Sequence, residues 1–160
     1  MENVYLNLLN LYSRHSTAFK TPLEDFTTEI FASILLKDDQ LLNSFMNDVL
    51  KIDGEQFKIK TQQQYELEDE QDCIIDIVIY NESTICFLEN KVNSREGYRQ
   101  LERYKSVLNS LEGQRKVFLR YCTKYYDLKE ISGVDFCQIR WRDVYLFLKI
   151  TMIMLLFGIF

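Results

Sequence analysis

Asp76 lies in the middle of the run CIIDIVIY (residues 73–80), with Ile on either side. An ionised carboxylate inside a buried strand costs roughly several kcal/mol unless a cation or hydrogen-bond donors compensate it. Glu89 and Lys91 follow a second apolar run, ICFL, and stand two residues apart. Side chains at that spacing point to one face of a strand. Each feature alone has a plain reading: a salt-bridged core Asp, and a surface Glu–Lys pair that contributes little. Together they say more. Only Asn81-Glu82-Ser83 separates the two runs, so they should pair as an antiparallel hairpin. That pairing lets Asp76 and Glu89 approach one point. Two carboxylates plus waters are the usual way of holding Mg2+. A neighbouring Lys91 can orient or deprotonate a water, or neutralise charge on a phosphate in the transition state. The chemistry suggested is metal-assisted hydrolysis of a phosphate ester.

These residues need elements to position them. Residues 57–67 alternate apolar and polar, which predicts a strand with one wet face. Residues 73–80 and 84–92 predict the next two strands, with an acidic turn over 66–72 before them. Upstream, Leu23, Phe26, Ile30, Phe31, Ile34 and Leu35 recur at helical spacing over 23–36, with Pro22 at the entry. Residues 41–50 predict a second helix, and 5–12 a shorter one before both. Downstream, a helix is expected over 95–111, with Tyr98, Leu101, Tyr104, Leu108 and Leu111 on its apolar face and Ser94 as its cap. Strands over 116–123 and 135–141 follow, with a short helix between them and a last helix from about Arg142. Alternation of this kind implies an α/β fold with a central mixed sheet flanked by helices.

The 160 residues suit one domain, expected over 1–150, with an apolar tail over 151–160. Hydrophobic residues make up 47% and charged residues 27%, which is globular composition rather than disorder. The four cysteines lack CxxC spacing and read as reduced thiols of a cytoplasmic protein. A single His15 excludes mechanisms that need several histidines. The N-terminus lacks the basic region and small-residue cleavage site of a secretion signal. The net charge of −5 argues against strong non-specific nucleic-acid binding. It conceals an asymmetry, with +1, −12 and +6 over residues 1–23, 24–90 and 91–160. An acidic part able to hold a cation precedes a basic part able to meet phosphate.

The order Asp76, Glu89-Asn90-Lys91, preceded by the helix TPLEDFTTEIFASIL and followed by GYRQLERY, resembles the PD-(D/E)XK nuclease superfamily over roughly residues 22–145. One departure is Ile75 where the family name has Pro. The resemblance implies a restriction-endonuclease-like αβββαβ core, here with extra N-terminal and C-terminal helices, and cleavage of nucleic acid, foremost DNA, with Mg2+ or Mn2+. It implies that Asp76 and Glu89 hold the metal with the backbone carbonyl of Asn90. Lys91 would position the attacking water, and Glu29 would reach in through a water or a second ion. Gln100 would contact the scissile phosphate or orient Lys91, and the Gln100–Tyr104 pair would support the site. Arg95, Arg99 and Arg103 recur every four residues and are expected to form a basic stripe on one helix. With Tyr104 they are the residues expected to meet nucleic acid. A defence or repair role is the expected setting. The alternative is a catalytically inactive protein of the same fold that binds nucleic acid or a partner protein. The tail is the expected contact for a homodimer or partner protein, and a membrane span is not expected from its length.

Overall fold

The computed structural model describes residues 23–67 and 72–157. The helix expected over 5–12, His15, Pro22 and most of the acidic turn lie outside these residues. Helix α1 spans Leu23–Leu35. Its buried face is Thr28, Glu29, Phe31, Ala32 and Leu35, whereas Phe26 and Ile30 are exposed. The apolar spacing therefore predicts the helix correctly and its inward face in part: Phe31 and Leu35 are buried as expected, and Phe26 and Ile30 are not. The helix turns Thr28 toward the sheet, where the Asn90 amide donates to its hydroxyl, and buries Glu29 beside it.

Asp38 caps helix α2, Asp39–Ser44, by accepting from the Gln40 and Leu41 amides. The helix widens into a π-type turn over Phe45–Val49, which buries Phe45 and Met46. Strands β1 (Lys58–Tyr65), β2 (Cys73–Tyr80) and β3 (Thr84–Lys91) follow. Helix α3 (Gln100–Leu111), β4 (Lys116–Thr123), β5 (Asp135–Arg140) and helix α4 (Trp141–Leu156) complete the chain. No helix joins β4 to β5; residues 124–134 are irregular, contrary to expectation.

The sheet order is β1-β2-β3-β4-β5, antiparallel from β1 to β3 and parallel from β3 to β5. Two apolar layers cover it. One joins α1, α2 and α4 to Ile77, Ile79, Cys86, Leu88 and Cys122. The other packs Leu101, Tyr104 and Leu108 of α3 on Ile75, Phe87, Leu119 and Tyr121. This mixed five-stranded sheet flanked by helices agrees with the expected restriction-endonuclease-like fold.

Strand alternation breaks at one place. Ile77 and Ile79 face the first layer, but Cys73 and Ile75 face the second. Residues two apart should share a face, so β2 changes faces around Asp76. Its neighbour β1 does the same, with Ile59 in the first layer and Tyr65 packed on the second. Gln62, opposite Asp76, has φ +50°, and this pair is the one step missing from an otherwise continuous β1–β2 register. The change of faces in β1 thus coincides with its one left-handed residue, and the register is the same on both sides of it.

The apolar tail is not a separate segment at its start, because α4 runs unbroken to Leu156. Met152, Ile153, Leu156 and Phe157 are exposed. No described helix is long and apolar enough to cross a membrane.

Candidate active site

The β2–β3 ladder runs from Tyr80↔Ile85 to Ile77↔Leu88 and stops. The next facing pair is Asp76 and Glu89. The main chains do not close there, because Asp76 Oδ2 accepts from the Asn90 amide at 2.8 Å in their place. A side chain thus spans the gap between the strands and carries a carboxylate to the end of the hairpin. On the other side, Gln62 Nε2 lies 3.5 Å from Asp76 Oδ1.

Glu89 is 0% exposed. Its Oε1 meets Lys91 Nζ at 2.6 Å, as their shared strand face requires. Apart from that ion pair, Oε1 has no hydrogen bond. Glu89 Oε2 lies 2.7 Å from Tyr104 Oη. Tyr104 Oη is also 2.6 Å from the Ile74 carbonyl and accepts from Gln100 Nε2 at 2.8 Å. A phenol has one proton to give. When that proton goes to the carbonyl, the contact with Glu89 needs a proton on Glu89.

The charges agree with this proton count. Burial pushes Asp76 well above the ordinary carboxylate range, and Glu89 opposite pushes it further; the Asn90 amide and Lys91 only partly offset them. Asp25 of α1 adds to the upward push. Burial raises Glu89 as well, against the pull of Lys91 and Tyr104. Burial alone would lower Lys91, but Glu89 and Asp76 outweigh it, so the ammonium is held above its usual value. Burial and the adjacent carboxylates also raise the Tyr104 hydroxyl.

Asn90 faces the other way. Its Nδ2 donates to Thr28 Oγ1 at 2.9 Å, and its Oδ1 accepts from Trp141 Nε1 at 2.8 Å. One buried amide thereby fixes α1 and α4 to the strand that carries Glu89 and Lys91. Glu24, in the first turn of α1, grips the chain just beyond Lys91. Its Oε1 accepts from the Val92, Asn93 and Ser94 amides at 2.9, 3.1 and 2.8 Å, and its Oε2 accepts from Ser94 Oγ at 2.6 Å. Burial would raise the Glu24 carboxyl, yet these donors together lower it. Its acidic type two residues after Pro22 is visible in the sequence; its partners 68–70 residues away are not.

Other expected residues are placed differently. Glu29 is buried on α1, but no described hydrogen bond or ion pair joins its carboxylate to Asp76, Glu89 or Lys91. Helix α3 begins at Gln100, not Arg95. Glu24 holds residues 92–94 in an extended turn, Arg99 takes a left-handed φ of +49°, and Glu96 Oε1, not Ser94, caps the Leu101 amide. The expected basic stripe therefore does not exist. Arg95 lies in the loop, Arg99 precedes the helix, and Arg103 within it donates to the Asp72 carbonyl at 3.4 Å. Tyr98 is 88% exposed outside the helix rather than on its apolar face. Tyr104 is fully buried and has no surface for nucleic acid; Gln100 holds it rather than Lys91.

The residues fit a divalent cation. A half-buried and a fully buried carboxylate oppose each other, and one buried oxygen of Glu89 lacks a hydrogen bond. Among the described residues no group of three or more His, Cys, Asp or Glu is gathered as a metal cage. Two carboxylates suit an ion that keeps most of its water shell.

No curated protein matches the chain. A family model described as the PD-(D/E)XK nuclease superfamily matches residues 11–149. Members of that superfamily generally use divalent metals, and the match runs from before α1 into α4, through every strand that builds this cluster. The chain belongs to the PD-(D/E)XK nuclease superfamily.

Proposed function

We propose that the chain hydrolyses phosphodiester bonds, in DNA first, with Mg2+ or Mn2+ held by Asp76, Glu89 and the Asn90 carbonyl. One observation carries this reading. Two carboxylates oppose each other where the hairpin ladder ends, with an ammonium 2.6 Å from one of them. A divalent cation bound there supplies Lewis-acid polarisation of a phosphoryl oxygen and acidifies a water. Asp76 and Glu89 would hold it as carboxylates. Lys91 keeps its proton, so it acts as a donor: it orients the attacking water and offsets charge on the phosphate oxygens. Tyr104 fixes Glu89, and Gln100 fixes Tyr104. Glu29 acts from α1 through a water or a second ion. Arg95, Arg99 and Arg103 meet phosphates from separate positions rather than as a stripe. Four free thiols fit a reducing, cytoplasmic setting.

The test is incubation of linear, circular and single-stranded DNA, and RNA, with Mg2+ or Mn2+. Wild type should cut, and Glu89→Ala and Lys91→Ala should not. Equal cutting by the variants would show that the site is wrong. If nothing is cut, yet metal raises the melting temperature of the wild type and not of Asp76→Ala, the chain is a binding module on the nuclease fold.

A further inference from the structure

Strands β3, β4 and β5 run parallel, so their carboxyl ends share one edge of the sheet. Lys91 pairs with Thr123, and Thr123 with Arg140. Ligands of such sheets bind in the crevice outside those ends. The Lys124 amide donates to the Lys91 carbonyl at 3.1 Å, so the chain leaving β4 starts against the end of β3. A cleft of about 610 Å3 opens there, lined by Lys91, Arg95, Lys124, Tyr125, Tyr126 and Lys129.

Two tyrosines of this cleft differ from the core ones. Tyr104 and Tyr121 are buried, and each hydroxyl contacts a carboxylate. Tyr125 and Tyr126 are each 67% exposed. Lys124 Nζ stands 5.0 Å from the Tyr125 ring centre, and the Arg140 guanidinium 5.4 Å from that of Tyr126. The acids Glu96 and Asp127 beside them are both paired with Lys129, at 3.0 and 3.3 Å. Each ring carries a cation over one face, so a base would stack on the opposite face, and an unpaired nucleic-acid strand needs both parts: ring faces for the bases and cations for the phosphates. A closed duplex keeps its base faces stacked on one another.

We infer that Tyr125 and Tyr126 form a stacking platform for unpaired bases beside Lys91, so that the substrate carries a single-stranded segment. The fate of the bound strand rests on the nuclease reading; the binding does not. Fluorescence anisotropy of the full chain in EDTA measures it, with a labelled single-stranded DNA, the same sequence as RNA, its blunt duplex, and an abasic strand of equal length. The base-bearing single strands should bind more tightly than the duplex or the abasic strand. Tyr125→Ala and Tyr126→Ala should each weaken single-strand binding about ten-fold, whereas Tyr→Trp at either position should retain it. Tyr145→Ala, at an exposed tyrosine of α4, should bind as wild type. Wild-type binding by both alanine variants, or equal binding of the abasic strand, overturns the inference. Tyrosine-dependent binding without cleavage in Mg2+ or Mn2+ upholds it and removes the nuclease reading. Cleavage with no response to the tyrosine variants removes it and upholds the nuclease.

Discussion

Arg120 and Glu89 are both buried charges on adjacent strands of one sheet, and they are treated in opposite ways. Arg120 faces the layer of α2. Its Nε donates to the Leu50 carbonyl at 2.8 Å, and its Nη1 to the Leu119 and Asp135 carbonyls at 3.1 and 2.8 Å, with Asp135 Oδ1 at 3.0 Å. Fixed donors meet fixed acceptors, and the side chain ties β4 to β5 and to the turn after α2. Glu89 faces α3 with a second carboxylate opposite and one oxygen served only by Lys91. A buried charge that is fully matched holds a fold together. One set against its like is costly when ionised in the metal-free protein, and a bound proton or a cation removes that cost.

Substitution at the two places should separate these roles. Glu89→Gln and Asp76→Asn should lower the cleavage rate on the order of a thousand-fold, the scale of losing one group that stabilises transition-state charge. Their metal-free melting temperatures should stay level or rise, because a mismatch has been relieved. Arg120→Ala should do the reverse. It leaves several buried carbonyls without a donor and should cost about 3 kcal/mol in denaturant titration. If Glu89→Gln destabilises as much as Arg120→Ala, Glu89 is structural too and the contrast collapses.

Titration gives a second contrast. Asp76 and Glu89 have raised values in the fold, so between the ordinary carboxylate range and those values the folded chain holds more protons than the unfolded one. The contribution of this pair to metal-free stability is then fully present below about pH 4 and is lost as pH rises, by about 1.4 kcal/mol per unit for each extra proton held. Mg2+ or Mn2+ displaces those protons, so the melting-point increase it causes should grow with pH. Thermal scans from pH 5 to 8 with and without metal check both slopes. Asp76→Asn should flatten the metal-free slope, and Arg120→Ala should leave it unchanged. A metal-free stability that rises over this range would contradict the raised carboxylates.

Tyr104→Phe is a milder change on the same side. It keeps the ring against Phe87 but removes the hydroxyl that links Gln100, the Ile74 carbonyl and Glu89. Metal affinity should fall about ten-fold. Calorimetric titration with Mn2+ measures this, and an unchanged affinity would separate the tyrosine from the site.

Local arithmetic made part of this site legible. The short connection brings Asp76 and Glu89 to the same end of the hairpin, strand period puts Lys91 beside Glu89, and one helical turn puts Gln100 beneath Tyr104; the register that sets Asp76 opposite Glu89 comes from the turn closing between Asn81 and Thr84. The illegible parts depend on distant partners. The start of α3 is set by Glu24, whose grip on residues 92–94 overrides the helical spacing from Arg95 onward. The inward face of α1 is set by Asn90 bonding Thr28, so Phe26 and Ile30 turn outward against their hydropathy. The change of faces in β1 has no residue-type signal, because Gln62 is not a glycine.

Gln62 supplies the smallest and most discriminating test. A left-handed conformation costs a side-chain-bearing residue roughly 1–2 kcal/mol. Gln62→Gly removes that cost together with the amide near Asp76 Oδ1; Gln62→Ala removes the amide and keeps the cost. The contact is long, at 3.5 Å, so both variants should lose only a few-fold in metal affinity, less than Tyr104→Phe. Their stabilities should diverge, with the glycine variant the more stable by about 1 kcal/mol. If both lose metal affinity equally and differ in stability, the amide matters to Asp76 and the left-handed backbone is a separate cost of turning the strands over. If alanine alone loses affinity, the backbone conformation places Asp76 and the amide is incidental. If glycine is less stable than alanine, the change of faces is not strained at Gln62, and the cost of this side of the sheet lies in the carboxylate pair alone.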